Sequence, residues 1–329
     1  MYAGFWVVTL LRDVRGLFAA SQREVASPGD VNIEPTNLCN ANCVFCAYQF
    51  QERPRMQVDS GLAHQIIAAA KRAGVKRLGL TPIVGEPLVH RQLEEFIRDA
   101  VQEPNPLQVG LTTNGIRLTP QRFRSLVDAG LSSIDISMSF PDEGEYRRIY
   151  RSGQLKTVLD NIAGILDTYQ SGDCQVRLAL RTSRLAHWDD HPLLHRARRQ
   201  GWIVTRNSFF DDWSGSVSGL ISQEGLLLRP NRPKILPCTM TYAGPHFLSD
   251  GRATACGCRD LDGNSDLALD ASSLLCERQR LRLLVVADDT SAFVYRARIS
   301  ARTMLCVGGR HARRPTTLGG ESQQVRSST

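Results

Sequence analysis

Several things are missing from these 329 residues, and each absence narrows the possibilities. The apolar opening, Phe5 to Leu11, stops at Arg12-Asp13. It falls well short of the roughly 20 apolar residues that span a bilayer. No basic stretch precedes it and no small-residue cleavage site follows, so neither a membrane anchor nor a secretion signal is expected. The chain is read as cytoplasmic, with Val7, Leu10, Leu11, Val14, Leu17 and Phe18 spaced as one face of an N-terminal helix over residues 1–30. There is no compositional extreme either: 42% hydrophobic and 22% charged residues exclude a disordered or fibrous class. The net charge of +7 leaves a polyanion partner open, but most basic residues are scattered among acids. The one dense run, Arg196 to Arg206, falls on a predicted helix and strand and is read as a solvated face, so no nucleic-acid partner is expected.

What is present is cysteine. Nine cysteines without a secretion signal point to metal or redox chemistry rather than a disulfide framework. Three cluster at Cys39, Cys43 and Cys46; Cys174 stands alone, as a small core residue would; five follow Pro237.

Between Val31 and Phe210 short β-rich runs alternate with amphipathic segments of helical length. Strands are predicted at Val31–Pro35, Arg77–Thr81, Gln108–Thr112, Ser133–Ser137, Gln175–Leu180 and Ile203–Ser208. Helices are predicted at Ser60–Arg72, Arg91–Val101, Thr119–Asp128, Leu155–Tyr169 and Asp190–Gln200. Thr119-Pro120 is a start signal, and Gly74, Gly130 and Gly201 stand where helices should stop. Six such alternations imply an α/β fold with a parallel sheet and right-handed crossovers, either doubly wound or a partial barrel. Functional groups then gather at the C-terminal ends of the strands. Cys39 follows the first strand, Gly85-Glu86-Pro87 the second, Asn114-Gly115 the third and Ser139 the fourth. Residues 211–237 are rich in Gly, Ser and Pro and read as a linker; 238–309 form a smaller cysteine-containing region; 310–329 read as a disordered tail. Beyond Leu267 the sequence is rich in arginine and has no lysine.

Cys39-Asn40-Ala41-Asn42-Cys43-Val44-Phe45-Cys46 places three thiols on one tight loop. A cubane iron–sulfur cluster wants thiolate ligands, and three of them leave one iron open for substrate or cofactor. The alternative is zinc, for which Cys43 and Cys46 supply half a ligand set with no second half nearby.

This C-x3-C-x2-C run, after a strand reading Asn32-Ile33-Glu34-Pro35-Thr36-Asn37, resembles the radical S-adenosylmethionine (SAM) superfamily. The resemblance implies a partial (β/α)6 TIM barrel over 31–210 and a [4Fe-4S] cluster on Cys39, Cys43 and Cys46. It further implies reductive cleavage of SAM to a 5′-deoxyadenosyl radical that abstracts hydrogen, and a reducing donor such as flavodoxin or ferredoxin. Val84-Gly85-Glu86-Pro87 is similar to the family's GGEP motif, with Val84 in place of the first glycine, and would hold the SAM ammonium. Asn114 lies in the segment after the third strand. Ser137 and Ser139 stand where relatives contact ribose or carboxylate, Arg181 would pair with the carboxylate, and Phe45 and Tyr48 would flank the adenine.

Cys238, twelve residues, Gly251, four residues and Cys256 resemble the opening of the SPASM/twitch type of auxiliary-cluster region. A second [4Fe-4S] cluster is implied, with Cys258 and Cys306 as further ligands. The family's closing C-x2-C-x5-C-x3-C is missing, since Cys258, Cys276 and Cys306 are widely spaced. The ~30 residues before the first strand leave no room for a leader-peptide-binding domain, as small domains need about 50. That favours a small, sugar-like substrate over a peptide. The rival reading is a non-catalytic metal-binding or iron–sulfur regulatory protein, with nucleic acid as its candidate partner.

Overall fold

The computed structural model describes residues 29–139, 141–169, 172, 174–183, 191–230, 244–254 and 256–264. The N-terminal helix, Cys238, Cys276, Cys306 and the tail expected from the sequence lie outside the described residues.

Six parallel strands form the body of the sheet: β1 (Asp30–Ile33), β2 (Arg77–Gly79), β3 (Gln108–Thr113), β4 (Ser133–Met138), β5 (Gln175–Arg181) and β6 (Ile203–Asn207). They lie side by side in chain order. The helices between them are α1 (Ser60–Arg72), α2 (Leu93–Val101), α3 (Pro120–Asp128), α4 (Glu143–Tyr150), α5 (Leu155–Thr168) and α6 (Pro192–Arg199). Right-handed crossovers between strands in sequential order put the connecting helices on one face of the sheet. The alternation follows from that. Ile134, Ile136 and Met138 of β4 and Val176, Leu178 and Leu180 of β5 are buried under the helices. Ser133, Asp135, Ser137, Arg177 and Arg181 belong to the other face. The arrangement is that of a partial TIM barrel, and among the described residues no closed barrel forms.

Start signals act where the sequence placed them. Thr119 Oγ1 accepts from Arg122 N at 3.1 Å, with Pro120 at the first helical position, and Asp59 caps α1 through Leu62 N at 2.9 Å. Between the six parallel strands one helix was not anticipated. In α4, Asp142 accepts from Glu145 N at 2.7 Å, acids fill the first turn and Arg147 and Arg148 the last, a charge order that suits the helix dipole. Part of the Arg196–Arg206 run is satisfied internally, since Arg196 bonds Asp167 of α5 at 2.5 Å.

The stretch read as a linker is structured where it is described. Strand β7 (Phe209–Phe210) pairs in parallel with β8 (Leu227–Leu228), and α7 (Ser218–Gln223) lies between them with Val217 and Ile221 buried. Gly- and Ser-rich composition had hidden a short apolar element. Beyond it, β9 (His246–Phe247) adds to the free edge of β1 in parallel and turns into antiparallel β10 (Ala253–Thr254). The described part of the C-terminal region is thus an extension of the main sheet, in the order β10-β9-β1-β2-β3-β4-β5-β6.

Candidate functional site

The cysteine loop leaves the C-terminal end of β1 and is held at almost every turn. Tyr48 Oη accepts from Cys39 N at 3.1 Å, Val44 N donates to Ile149 O of α4 at 3.0 Å, and the Trp213 indole N–H donates to Phe45 O at 2.9 Å. The strand that returns from the loop zips back onto the strand that entered it. Asn37 donates to Pro54 O at 2.8 Å and accepts from Met56 N at 2.7 Å, and Thr36 Oγ1 donates to Met56 O at 2.8 Å.

Burial pushes the Cys39 thiol up to about 12 and the Cys46 thiol up to about 11, and raises the Cys43 thiol well above its ordinary value. Mutual repulsion among the three sulfurs adds to the effect at Cys39 and Cys43, and the Arg181 guanidinium opposes it at Cys43 and Cys46. Three thiols felt by one another and kept from ionising by burial need a cationic group to become thiolates. Among the described residues no three His, Cys, Asp or Glu side chains converge on the position of a single metal ion. A donor set of soft sulfurs spread around a loop fits a polynuclear iron–sulfur cluster better than a zinc ion.

The other predicted residues gather around this loop. Gly85 sits at φ 149° with Thr36 O 2.6 Å from where a Cβ would stand, so only glycine lets the β2 loop approach the cysteine loop this closely. Glu86 is buried, and its carboxylate is already engaged. Oε1 accepts from Thr113 Oγ1 at 2.6 Å and Leu88 N at 3.1 Å, and Oε2 accepts from Asn114 N at 2.7 Å. Burial raises its pKa to about 7. Glu86 therefore ties the β2 loop to the end of β3 first, and Oε2 retains one acceptor position for a ligand. Pro87 opens the 3-10 turn Pro87–Val89. Asn114 reaches the cysteine loop directly, donating to Asn40 Oδ1 at 2.7 Å.

Ser137 and Arg181, predicted from separate strands, meet: Arg181 Nε donates to Ser137 Oγ at 3.0 Å, and Tyr150 Oη lies 3.1 Å from the same hydroxyl. Ser139 is fully buried at the end of β4. Phe45 carries Arg181 5.2 Å above its ring and packs against Tyr150 and Phe210, while the Tyr48 face holds Arg55 at 4.3 Å. Of the cysteines expected to hold a second cluster, Cys256 is half-buried and Cys258 exposed on the turn after β10. Cys174 is buried, as a core residue should be.

Sequence reasoning missed the group that joins this turn to the loop. Glu34, at the end of β1, is fully buried against Arg53, with contacts of 2.8 and 3.1 Å, and accepts from Ser249 Oγ at 2.9 Å. Arg53 Nε donates to Leu261 O at 2.6 Å, and Asp262 Oδ1 accepts from Glu52 N at 2.8 Å. A charge at the end of an apolar strand was the available signal. Tyr150 and Trp213 were missed with the elements that carry them.

Residues 33–171 match the family model described as the radical SAM superfamily. The GTP 3′,8-cyclase of Mycobacterium marinum is 35% identical over 144 residues, covering 42% of this chain and 39% of that protein. That of Pelotomaculum thermopropionicum is 33% identical over 149 residues, covering 44% of each. The chain thus matches well under half the length of these curated relatives. Among solved structures, Streptococcus suis SuiB bound to S-adenosylmethionine is similar with a TM-score of 0.51 at 14% identity, over 70% of this chain and 60% of that one. At that identity the likeness is one of fold.

Proposed function

Through residues 33–171 the chain belongs to the radical SAM superfamily, and on that premise we propose that it is an enzyme holding a [4Fe-4S] cluster on Cys39, Cys43 and Cys46 and cleaving SAM beside it. When bound, the pair supplies one-electron cleavage of a carbon–sulfur bond, giving methionine and a 5′-deoxyadenosyl radical that takes a hydrogen atom from the substrate. The chain's own residues orient the cofactor. Glu86 Oε2 and the backbone around Gly85 accept from an ammonium, and Arg181, fixed by Ser137, faces a carboxylate. Phe45 and its aromatic neighbours shield the thiols from water. The substrate is a small molecule with sugar-like character; a peptide is the second class.

The observation that carries this reading is the convergence of three mutually coupled thiols with Gly85, Asn114 and Arg181 at one end of a parallel sheet. The test is anaerobic reconstitution with iron and sulfide, an iron count, and detection of 5′-deoxyadenosine after addition of SAM and dithionite. Cleavage that disappears in the Cys39→Ala/Cys43→Ala/Cys46→Ala variant, with a loss of about four irons, is the expected result. A cluster-loaded protein that never cleaves SAM sinks the proposal. Iron remaining on the triple variant reports an auxiliary cluster involving Cys256 and Cys258.

A further inference from the structure

The sheet face turned away from the helices is largely polar, and solvent reaches it over β4, β5 and β6. In the row that aligns Asn32, Gly79, Gly110 and Ser133 it is filled: Asn32 Oδ1 occupies the space over Gly79, 2.0 Å from where a Cβ would be, and Ser133 Oγ lies 2.7 Å from the equivalent point on Gly110. Above that floor the register brings Thr112, Asp135 and Arg177 side by side on β3, β4 and β5. Asp135 and Arg177 form an ion pair at 3.0 Å whose side chains keep 34% and 41% of their exposure. Their strand neighbours Ile134, Ile136 and Leu178 have none. Arg177 lies on β5 beside the edge strand β6, whose neighbouring Ile203 is exposed as well, so solvent reaches this part of the face.

The pair shares its face of the sheet with Arg181. Arg181, two same-face positions up β5, acts on the Asp135 carboxyl and also on the Cys43 and Cys46 thiols. Asp135 thus lies within electrostatic reach of the group that fixes the cofactor end of the site. Its carboxyl is raised above the usual range by burial, which Arg177 and Arg181 oppose.

We propose that Asp135 and Arg177 are the hydroxyl-recognition subsite of the substrate pocket, and that the substrate presents a polyhydroxylated ring, either a free sugar or cyclitol or the ribose of a nucleotide. The inference rests on the radical SAM reading and adds the substrate class to it. The pair sets an acceptor carboxylate beside a fork of donors, with the Arg181 guanidinium acting on the same carboxylate. Adjacent hydroxyls match both partners: one donates to the carboxylate while its neighbour accepts from the guanidinium. The bland alternative, a cross-strand ion pair that only braces the sheet, contributes about 0–1 kcal/mol and has no ligand. Asp30 and Arg77, paired at 2.5 Å across β1 and β2 at the far end of the sheet, are such a brace and serve as the control.

The experiment is calorimetric titration of the reconstituted full chain, with SAM present, using GTP, 2′-deoxy-GTP, myo-inositol and glucosamine as probes. At least one polyhydroxylated probe is expected to bind. Asp135→Asn and Arg177→Met should each weaken it by about tenfold or more, and Asp30→Asn should leave it unchanged. Binding of GTP that weakens with its 2′-deoxy analogue identifies a nucleotide ribose; binding of inositol or glucosamine without GTP identifies a free ring. Affinities indifferent to both site variants overturn the inference, as does a protein that cleaves SAM yet binds none of the probes. Failure of the radical SAM reading itself shows separately, as absence of SAM cleavage by the cluster-loaded wild type.

Discussion

Strand β1 carries one carboxylate–guanidinium pair at each end, and the two differ in everything except chemistry. At the N-terminal end, Asp30 meets Arg77 with the arginine side chain 64% exposed. At the C-terminal end, Glu34 meets Arg53 with exposures of 0% and 3%, and the carboxylate also accepts from Ser249 Oγ, Ser249 N and Ile83 N. In water a charge pair gains little, because each partner was already well solvated. In the interior, each partner depends on the other to offset the cost of leaving water. The exposed pair therefore braces one register of two strands. The buried pair joins the cysteine loop, the β2 loop and the β9–β10 extension into one body.

Breaking the buried pair is the strongest test of this contrast. Arg53→Met leaves a carboxylate in the interior without its cation and should lower unfolding stability by about 3–5 kcal/mol in denaturant titrations. The double variant Glu34→Leu/Arg53→Met should recover most of that loss, since no unpaired charge remains. If the double variant is as unstable as the single, packing rather than charge pairing dominates there.

A smaller effect comes from His246, buried in β9 beside the same pair, its Nε2 without a hydrogen-bond partner among the described residues. Burial lowers its pKa from the ordinary 6.5 to about 4, and the Glu34 carboxylate and Arg53 guanidinium act on it in opposite senses. The unfolded chain takes up a proton on this residue as pH falls through 6.5, while the native protein resists until about 4. Its contribution is thus complete above 6.5 and declines with acid, by roughly 2 kcal/mol at pH 5. Denaturant midpoints between pH 7 and 5 should fall less steeply in His246→Leu than in wild type; equal slopes would mean that other groups set the acid limb.

Smallest of all should be the loss of the exposed pair. Asp30→Asn is expected to change stability by less than about 1 kcal/mol, and by less still in high salt. A larger, salt-insensitive loss would show that the two ends of β1 are not in different solvents after all.

The cysteine loop and the six strands were legible because their signals are local. Thiol spacing, β-branched runs and the Thr119-Pro120 start are all read within a few residues. Strand ends agreed with expectation to within a residue or two for the same reason. The α4 helix escaped although Asp142 and the charge order of its turns were visible, because its segment lacks the long apolar periodicity that identified the others. Residues 211–230 were misjudged as linker because Gly and Ser dominate the composition, while Val217, Ile221 and Leu226 bury enough surface to order α7 and the turn that follows it. The pairing of Ser137 with Arg181 could be guessed only as two separate strand-end residues.

By itself the sequence determined the parallel α/β architecture and the end of the sheet at which chemistry would lie, since periodicity fixes which residues face the helices and crossover handedness fixes where loops collect. It also determined the three-thiol loop. Tertiary structure alone decided that Glu86 is first an internal acceptor, that β9 and β10 extend the main sheet, and that Glu34 and Arg53 bind the C-terminal turn to the cysteine loop. Those outcomes depend on which groups are removed from water together, and desolvation is a property of the packed chain that no residue carries in its own identity.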